Sequence, residues 1–253
     1  MNRQGADGIT YVDFTWNPIT GCSKGCKWCY ARRLAKRFGW SFEPTFHLNR
    51  VWEPLKLKRP SRILTCSMGD MFDDAVSAWD IDCILEVMLG CPHHEFLVLT
   101  KRPENLMSKL YAHDEYNYCR ALDDADYIPN LWLGVSVACQ EDADQRIPLL
   151  LDVPAALYWL SVEPMLGPVD LSEWLAVERL QMPWGEHWTE RTGDVSRLHW
   201  VVVGAQTGPG AVPPKREWVQ SLVEQCRTAS VPVFLKRNLA RVWPGELVQE
   251  YPK

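Results

Sequence analysis

The chain predicts an α/β fold: a partial, open TIM-type barrel of about six or seven β/α units with parallel strands. Three observations carry this expectation. Apolar segments of strand length alternate with amphipathic segments of helical period, the order that builds a parallel sheet. Several strand segments are continuous apolar runs, such as Phe96-Leu-Val-Leu-Thr100 and Trp200-Val-Val-Val-Gly204, which indicates strands covered on both faces. The number of units exceeds a small flavodoxin-like sheet and falls slightly short of an eight-fold barrel. A length of 253 residues suits one such domain over 1–253, and 47% hydrophobic residues suffice for a substantial core.

The elements follow in order. A first strand is expected at Ile9–Thr15, leading through Asn17 and Pro18 into a cysteine loop. After the cysteines, Trp28, Ala31, Leu34, Ala35 and Phe38 recur at helical spacing, and Gly39 is the stop. A second strand, Arg62–Ser67, precedes a helix whose stripe is Ile81, Ile84, Leu85, Met88 and Leu89. Further strands are expected at Glu95–Thr100, Leu131–Ser136, Ala156–Val162, Trp200–Gly204 and Val231–Lys236. Before the last of these, Trp218, Val219, Leu222, Val223 and Cys226 mark one face of a helix over 216–229. Two segments break the rhythm. Residues 111–130 are acidic and polar, 173–199 are rich in tryptophan and charge, and both are expected as excursions from the barrel.

No apolar run approaches the roughly 20 residues that span a bilayer. The N-terminus has no apolar targeting core. A soluble cytoplasmic protein with no membrane partner is expected. The net charge of −5 argues against a generic polyanion binder. Its distribution is uneven, however. From Phe14 to Phe42 no residue is acidic, while Lys24, Lys27, Arg32, Arg33, Lys36 and Arg37 are basic. Such a segment suits a phosphate-bearing substrate, and equally the counter-charge of a cluster or a solvated helix face.

Cys22, Cys26 and Cys29 form a CxxxCxxC run with Trp28 just before the last cysteine. Three thiolates in a short loop suit an iron–sulfur cluster. Electron carriers close the four iron corners of a cubane with four cysteines. Three ligands leave one iron open, and an open coordination site goes with chemistry rather than scaffolding. A structural zinc site would want a fourth ligand, and His47, the nearest histidine downstream, sits at no zinc spacing. Nine cysteines are an odd number, which disfavours a disulfide framework, and unrelated free thiols are the remaining reading. Cys66, Cys83, Cys91, Cys119, Cys139 and Cys226 are scattered and read as buried thiols.

Ligands of parallel barrels bind at the carboxyl ends of the strands. Here those ends carry Ser67-Met-Gly-Asp70, Thr100-Lys101-Arg102-Pro103, Ser136, Ser161-Val-Glu163-Pro164, Gly204-Ala-Gln206-Thr-Gly208-Pro-Gly210 and Lys236-Arg237. Asp70 or Ser67 suits an ammonium group, and Lys101 or Arg102 a carboxylate or phosphate. Gly204, Gly208 and Gly210 allow backbone to approach a nucleoside, although their spacing is not GxGxxG. A bare carboxylate at the end of the apolar strand before Glu163 is costly, so that residue is expected to be functional or ion-paired. Each of these groups taken alone reads equally well as a turn former or strand cap.

The cysteine segment resembles the radical S-adenosylmethionine (radical SAM) enzymes. Over a longer span, Thr15-Trp-Asn-Pro-Ile-Thr-Gly-Cys22, Ser67-Met-Gly-Asp70, Leu99-Thr-Lys-Arg-Pro103, Leu133-Gly-Val-Ser136, Leu160-Ser-Val-Glu-Pro164 and Val203-Gly204 through Gly210 resemble, in order, the radical-SAM-like "three-Cys-motif" proteins of phages and prophages, a family of unknown function. The resemblance runs from about Thr15 to Lys236. It implies a 4Fe-4S cluster on Cys22, Cys26 and Cys29, S-adenosylmethionine on the open iron, and a reductant such as flavodoxin or ferredoxin. Trp28, Ser67, Asp70, Ser136, Gly204 and Gln206 are then the expected cofactor contacts, and Glu163 and Lys101 the expected catalytic groups. Two departures stand out. Gln206 occupies a position where the family has an acid, and Arg237-Asn238-Leu239 replaces its Gln-Trp-Gly. The implied reaction is hydrogen abstraction by a 5′-deoxyadenosyl radical. A nucleic-acid base or nucleotide is the expected substrate, for modification or repair as in spore photoproduct lyase, which shares the cysteine spacing. The alternative is a non-catalytic iron–sulfur or zinc protein that binds nucleic acid or a partner protein.

Overall fold

A computed structural model describes residues 1–6, 8–111, 127–175 and 197–252. From the N-terminus, β1 (Asn2–Arg3) pairs antiparallel with β2 (Phe14–Trp16). A small separate sheet joins β3 (Ile19–Thr20) to β4 (Thr45–Phe46), and α1 (Tyr30–Phe38) lies between them in the chain. Then come α2 (Leu48–Val51), β5 (Arg62–Thr65), α3 (Ala78–Leu89), β6 (Glu95–Thr100) and α4 (Leu106–Leu110). They are followed by β7 (Leu131–Val137), α5 (Gln140–Leu151), β8 (Leu157–Val162), α6 (Ser172–Leu175), β9 (Trp200–Val203), α7 (Arg216–Thr228) and β10 (Val233–Leu235).

Among the described residues the main sheet has eight strands in the order β1-β2-β5-β6-β7-β8-β9-β10. Every neighbouring pair from β2 to β10 is parallel. The fold is thus a mixed α/β architecture with a mostly parallel sheet whose parallel strands sit side by side in chain order. Among the described residues no helix is long and apolar enough to cross a membrane.

Strand residues alternate between two apolar layers, as the period of two requires. Ile63, Phe96, Leu133, Leu160, Val201 and Val233 join helix residues such as Ile84, Ile147 and Leu222 in the larger layer. Leu64, Leu97, Trp132, Trp159, Trp200, Val202 and Phe234 form the opposite layer with Tyr11 and Val12. Trp159 enters this second layer only because β7 has a glycine beside it. A Cβ on Gly134 would lie 2.5 Å from Trp159 Nε1. The indole N–H instead reaches the Val98 and Trp132 carbonyls at 3.1 and 3.2 Å.

The first expected strand is corrected here. It begins at Phe14, and Ile9–Val12 folds into a turn that lays Tyr11 edge-on against Trp159, Trp200 and Phe234. The apolar content that reads as strand in Ile9–Val12 serves to cover the tryptophan layer. The other strands match within two residues. β5 stops early because Cys66 takes a left-handed turn at φ 57°. The helix after the cysteines ends at Gly39, which caps it at φ 69° as expected. Both sheet edges are covered, which guards against edge pairing. β1 lines β2, and residues 248–250 pair with β10 through Leu235 N–H to Val248 O and Glu250 N–H to Val233 O. Most of the two expected excursions, 112–126 and 176–196, lies outside the described residues.

Candidate functional site

The carboxyl ends of all seven parallel strands open onto one cavity of about 930 Å³. β2 delivers Asn17, β5 Ser67 and Asp70, and β6 Thr100 and Lys101. β7 delivers Ser136, β8 Ser161 and Glu163, β9 Gln206, and β10 Lys236 and Asn238. Cys22, Cys26, Trp28 and Cys29 line the same cavity. Of the residues expected from the sequence to form the site, Arg102, Gly204, Gly208 and Gly210 are not part of the lining.

The cysteine loop is sewn onto the turn after β5. Gly21, at φ 85°, bridges Gly69, and a Cβ on Gly21 would sit 2.2 Å from the Glu43 carbonyl oxygen. Only glycine fits that approach. Next along, Ser23 donates its N–H and hydroxyl to the fully buried Asp73 at 2.8 and 2.9 Å, and Arg102 donates to the Ser23 hydroxyl at 2.6 Å. Burial alone would raise the Asp73 carboxyl. The bonds from Ser23 and the Ala75 N–H, with the Arg102 charge, bring it below the ordinary carboxylate value.

Two backbone N–H groups point at sulfur: Lys24 N–H at Cys22 Sγ and Arg32 N–H at Cys29 Sγ, each at 3.4 Å. Cys29 is the N-cap of α1, with extended backbone ahead of the first turn. Burial pushes the Cys22 thiol up to about 11, with Asp70 and Asp73 adding to the rise and the Lys24 N–H opposing it. The eight described cysteines are all free.

Among the described residues no group of three or more His, Cys, Asp or Glu converges as the ligands of one metal ion would. A mononuclear zinc site draws its ligands to a point, whereas a cubane spreads three thiolates over three irons. The three free thiols line one cavity, two of them with N–H groups on sulfur, and are soft donors of the kind that both sorts of centre use. Two polar atoms of the lining are also buried without a hydrogen-bond partner among the described residues, Trp28 Nε1 and Thr65 Oγ1. Such orphans are rare in folded proteins, and these two belong to residues that face a cavity.

On the other walls the side chains are held in place. Asp70 accepts from Thr100 Oγ1 at 2.7 Å, Lys101 N–H at 3.0 Å and Phe72 N–H at 3.1 Å. It thereby ties the ends of β5 and β6 together. Ser67 donates to Asn17 Oδ1 at 3.2 Å, and its carbonyl accepts from the Tyr30 hydroxyl. Ser136 donates to the Glu163 carbonyl at 3.3 Å. Glu163 is ion-paired, with Oε2 2.6 Å from Lys236 Nζ and Oε1 3.4 Å from Asn238 Nδ2. The role of Gly204 is steric: a Cβ there would lie 2.6 Å from Glu163 Oε1, so glycine clears room for the carboxylate. Gln206 accepts from Val212 N–H at 3.3 Å and shapes its own turn. Asn238 holds Ala205 by both its N–H and its carbonyl.

The basic segment divides in two. Lys24 donates to the Lys101 carbonyl, Arg32 to the Cys22 carbonyl and Arg33 to the Trp28 carbonyl, so these three brace the loop. Arg33 also lies against Gly208, where a Cβ would meet its guanidinium at 2.6 Å. The side chains of Lys27, Lys36 and Arg37 have no hydrogen-bond or ion-pair partner among the described residues. Sequence reasoning missed Asp73 and the pairing of Lys236 with Glu163. Asp73 stands in a polar turn, MFDDA, that reads as an ordinary helix approach.

No curated protein and no solved structure matches the chain. A family model described as a protein of unknown function (DUF5131) matches residues 6–243, a span that takes in every strand of the sheet from β2 to β10 and the three cysteines of the cavity, and the chain belongs to that family.

Proposed function

We propose that the protein is a radical S-adenosylmethionine enzyme whose three cysteines hold a 4Fe-4S cluster at the mouth of an open TIM-type barrel of seven β/α units. The observation that carries this reading is the meeting of Cys22, Cys26 and Cys29 with polar groups from all seven parallel strand ends on one cavity. The N–H groups on Cys22 and Cys29 sulfur support it, because hydrogen bonds to the thiolates tune such clusters. When bound, the cluster and S-adenosylmethionine would supply a 5′-deoxyadenosyl radical after reduction by a flavodoxin- or ferredoxin-type donor.

The chain's own residues bind, orient and exclude water. Asp70 retains acceptor capacity toward an ammonium group, since its Oδ2 takes only the Lys101 N–H. The Lys101 ammonium, without a partner among the described residues, suits a carboxylate or phosphate. Trp28 offers an unpaired N–H, and Glu163 with Lys236 presents a fixed pair of charges to a polar substrate group. A cavity of about 930 Å³ lies at the upper end of the about 300–1,000 Å³ usual for small-molecule sites. A nucleic-acid base or nucleotide is the substrate class proposed, for modification or repair.

The test is anaerobic reconstitution with iron and sulfide, followed by dithionite and S-adenosylmethionine. Wild-type protein should turn brown and release 5′-deoxyadenosine. Alanine at Cys22, Cys26 or Cys29 should abolish both, whereas Cys226→Ala, in the buried stripe of α7, should keep both. A brown protein that makes no 5′-deoxyadenosine refutes the enzyme reading in favour of a non-catalytic iron–sulfur protein. Retention of zinc in place of iron refutes the cluster itself.

A further inference from the structure

The face of α1 that leaves the cavity carries an alternation of basic and aromatic side chains. At helical spacing, Tyr30, Arg33, Leu34, Arg37 and Phe38 share one face. Tyr30 and Leu34 line the cavity. One turn further along, about 6 Å of helix, Phe38 stacks on Trp40 with ring centroids 5.0 Å apart. These rings are 55% and 60% exposed. Arg37 lies 5.6 Å from the Phe38 ring, and Lys36 is beside it in sequence. Neither cation has an ion-pair partner among the described residues, and no carboxylate occurs between Phe14 and Phe42.

Two large, exposed, stacked rings among unpaired cations are costly to leave in water and do nothing for the core. They have the components of a single-strand binding platform, which stacks bases on aromatic rings and tracks phosphates with cations. A duplex keeps its bases stacked on each other, so the rings could not reach them. A peptide partner would need only the apolar area and would gain little from unpaired cations. We infer that Phe38, Trp40, Lys36 and Arg37 form a landing surface for single-stranded nucleic acid, which leads a base along α1 to the cavity. The delivery of a base rests on the function proposed above. The landing surface stands on its own exposure and charge.

The test is anisotropy of fluorescein-labelled oligothymidylate, oligouridylate and a DNA hairpin duplex with the full-length protein. Single strands should bind at low salt, and more tightly than the duplex. Affinity should fall with salt by a slope of about −0.7 per phosphate contacted. Trp40→Ala and Phe38→Ala should each weaken single-strand binding about tenfold. Lys36→Glu with Arg37→Glu should weaken it and flatten the slope, while Arg227→Glu on α7 should leave it unchanged. Should Trp40→Ala lose its far-ultraviolet circular dichroism, Trp40→Leu keeps apolar bulk without a ring for stacking, and the same loss is expected. No single-strand binding at low salt, a preference for duplex, or ring variants with wild-type affinity would each overturn the inference. Assaying the same wild-type sample for 5′-deoxyadenosine separates the two readings. Product without strand binding removes the landing surface alone, and strand binding without product removes the enzyme alone.

Discussion

The Glu163–Lys236 pair should show a coupling energy of about 2 kcal/mol in a double-mutant cycle. Its atoms are 2.6 Å apart, and the two side chains are 25% and 17% exposed. Two unit charges about 4 Å apart at an effective dielectric near 20 attract by about 4 kcal/mol. Residual exposure and the cost of desolvating both ions take back roughly half of that. Lys236→Met leaves Glu163 with only Asn238 at 3.4 Å and removes the cation 5.4 Å from the Tyr11 ring. We expect it to cost about 3 kcal/mol. Glu163→Gln should cost about 1–2 kcal/mol, because the longer lysine can turn toward water. The double variant should lose about 2 kcal/mol less than the sum of the singles. The assay is urea unfolding of the metal-free protein, four proteins side by side with matched slopes. Additivity within about 0.5 kcal/mol would refute the argument, since that is how independent sites behave.

Gly134→Ala should destabilise by about 3 kcal/mol, the top of the usual overpacking range, because the new Cβ meets both the Trp159 ring and its backbone carbonyl within 2.6 Å. A loss under about 0.5 kcal/mol by urea unfolding would refute that packing. His94 is buried with Nε2 3.1 Å from the Leu57 carbonyl, and burial, aided by His93, lowers it from its ordinary 6.5. The unfolded chain then binds the proton first, so stability should decline as pH falls below about 6.5 and level off beneath the lowered folded value. His47 shifts in the same direction. Unfolding at about pH 7 and about pH 5 should show this decline, and His94→Asn should flatten it. Loss of the proposed cluster in air should leave far-ultraviolet circular dichroism largely intact, because the sheet has apolar layers on both faces. An unfolded metal-free protein would make the metal structural instead.

Features that depend on local period and composition could be read along the chain. Continuous apolar runs such as Phe96–Thr100 marked strands covered on both sides, because burial on two faces leaves no polar alternation. Gly39 marked the end of α1, because a left-handed cap costs least there. The CxxxCxxC run and the polar groups after each strand were legible together, because a parallel sheet sends all its carboxyl ends to one side. Only the tertiary structure decided what depends on register across the sheet. Ile9–Val12 looks like strand locally, yet the tryptophan layer needed a cover and Tyr11 supplies it. Glu163 and Lys236 are 73 residues apart in the chain and meet because β8, β9 and β10 stand side by side. Gly134 and Gly204 look like ordinary turn or strand glycines until Trp159 and Glu163 take the space a Cβ would fill. Periodicity records which face of an element is buried, and the partner on that face follows from strand order and register, which no local window contains.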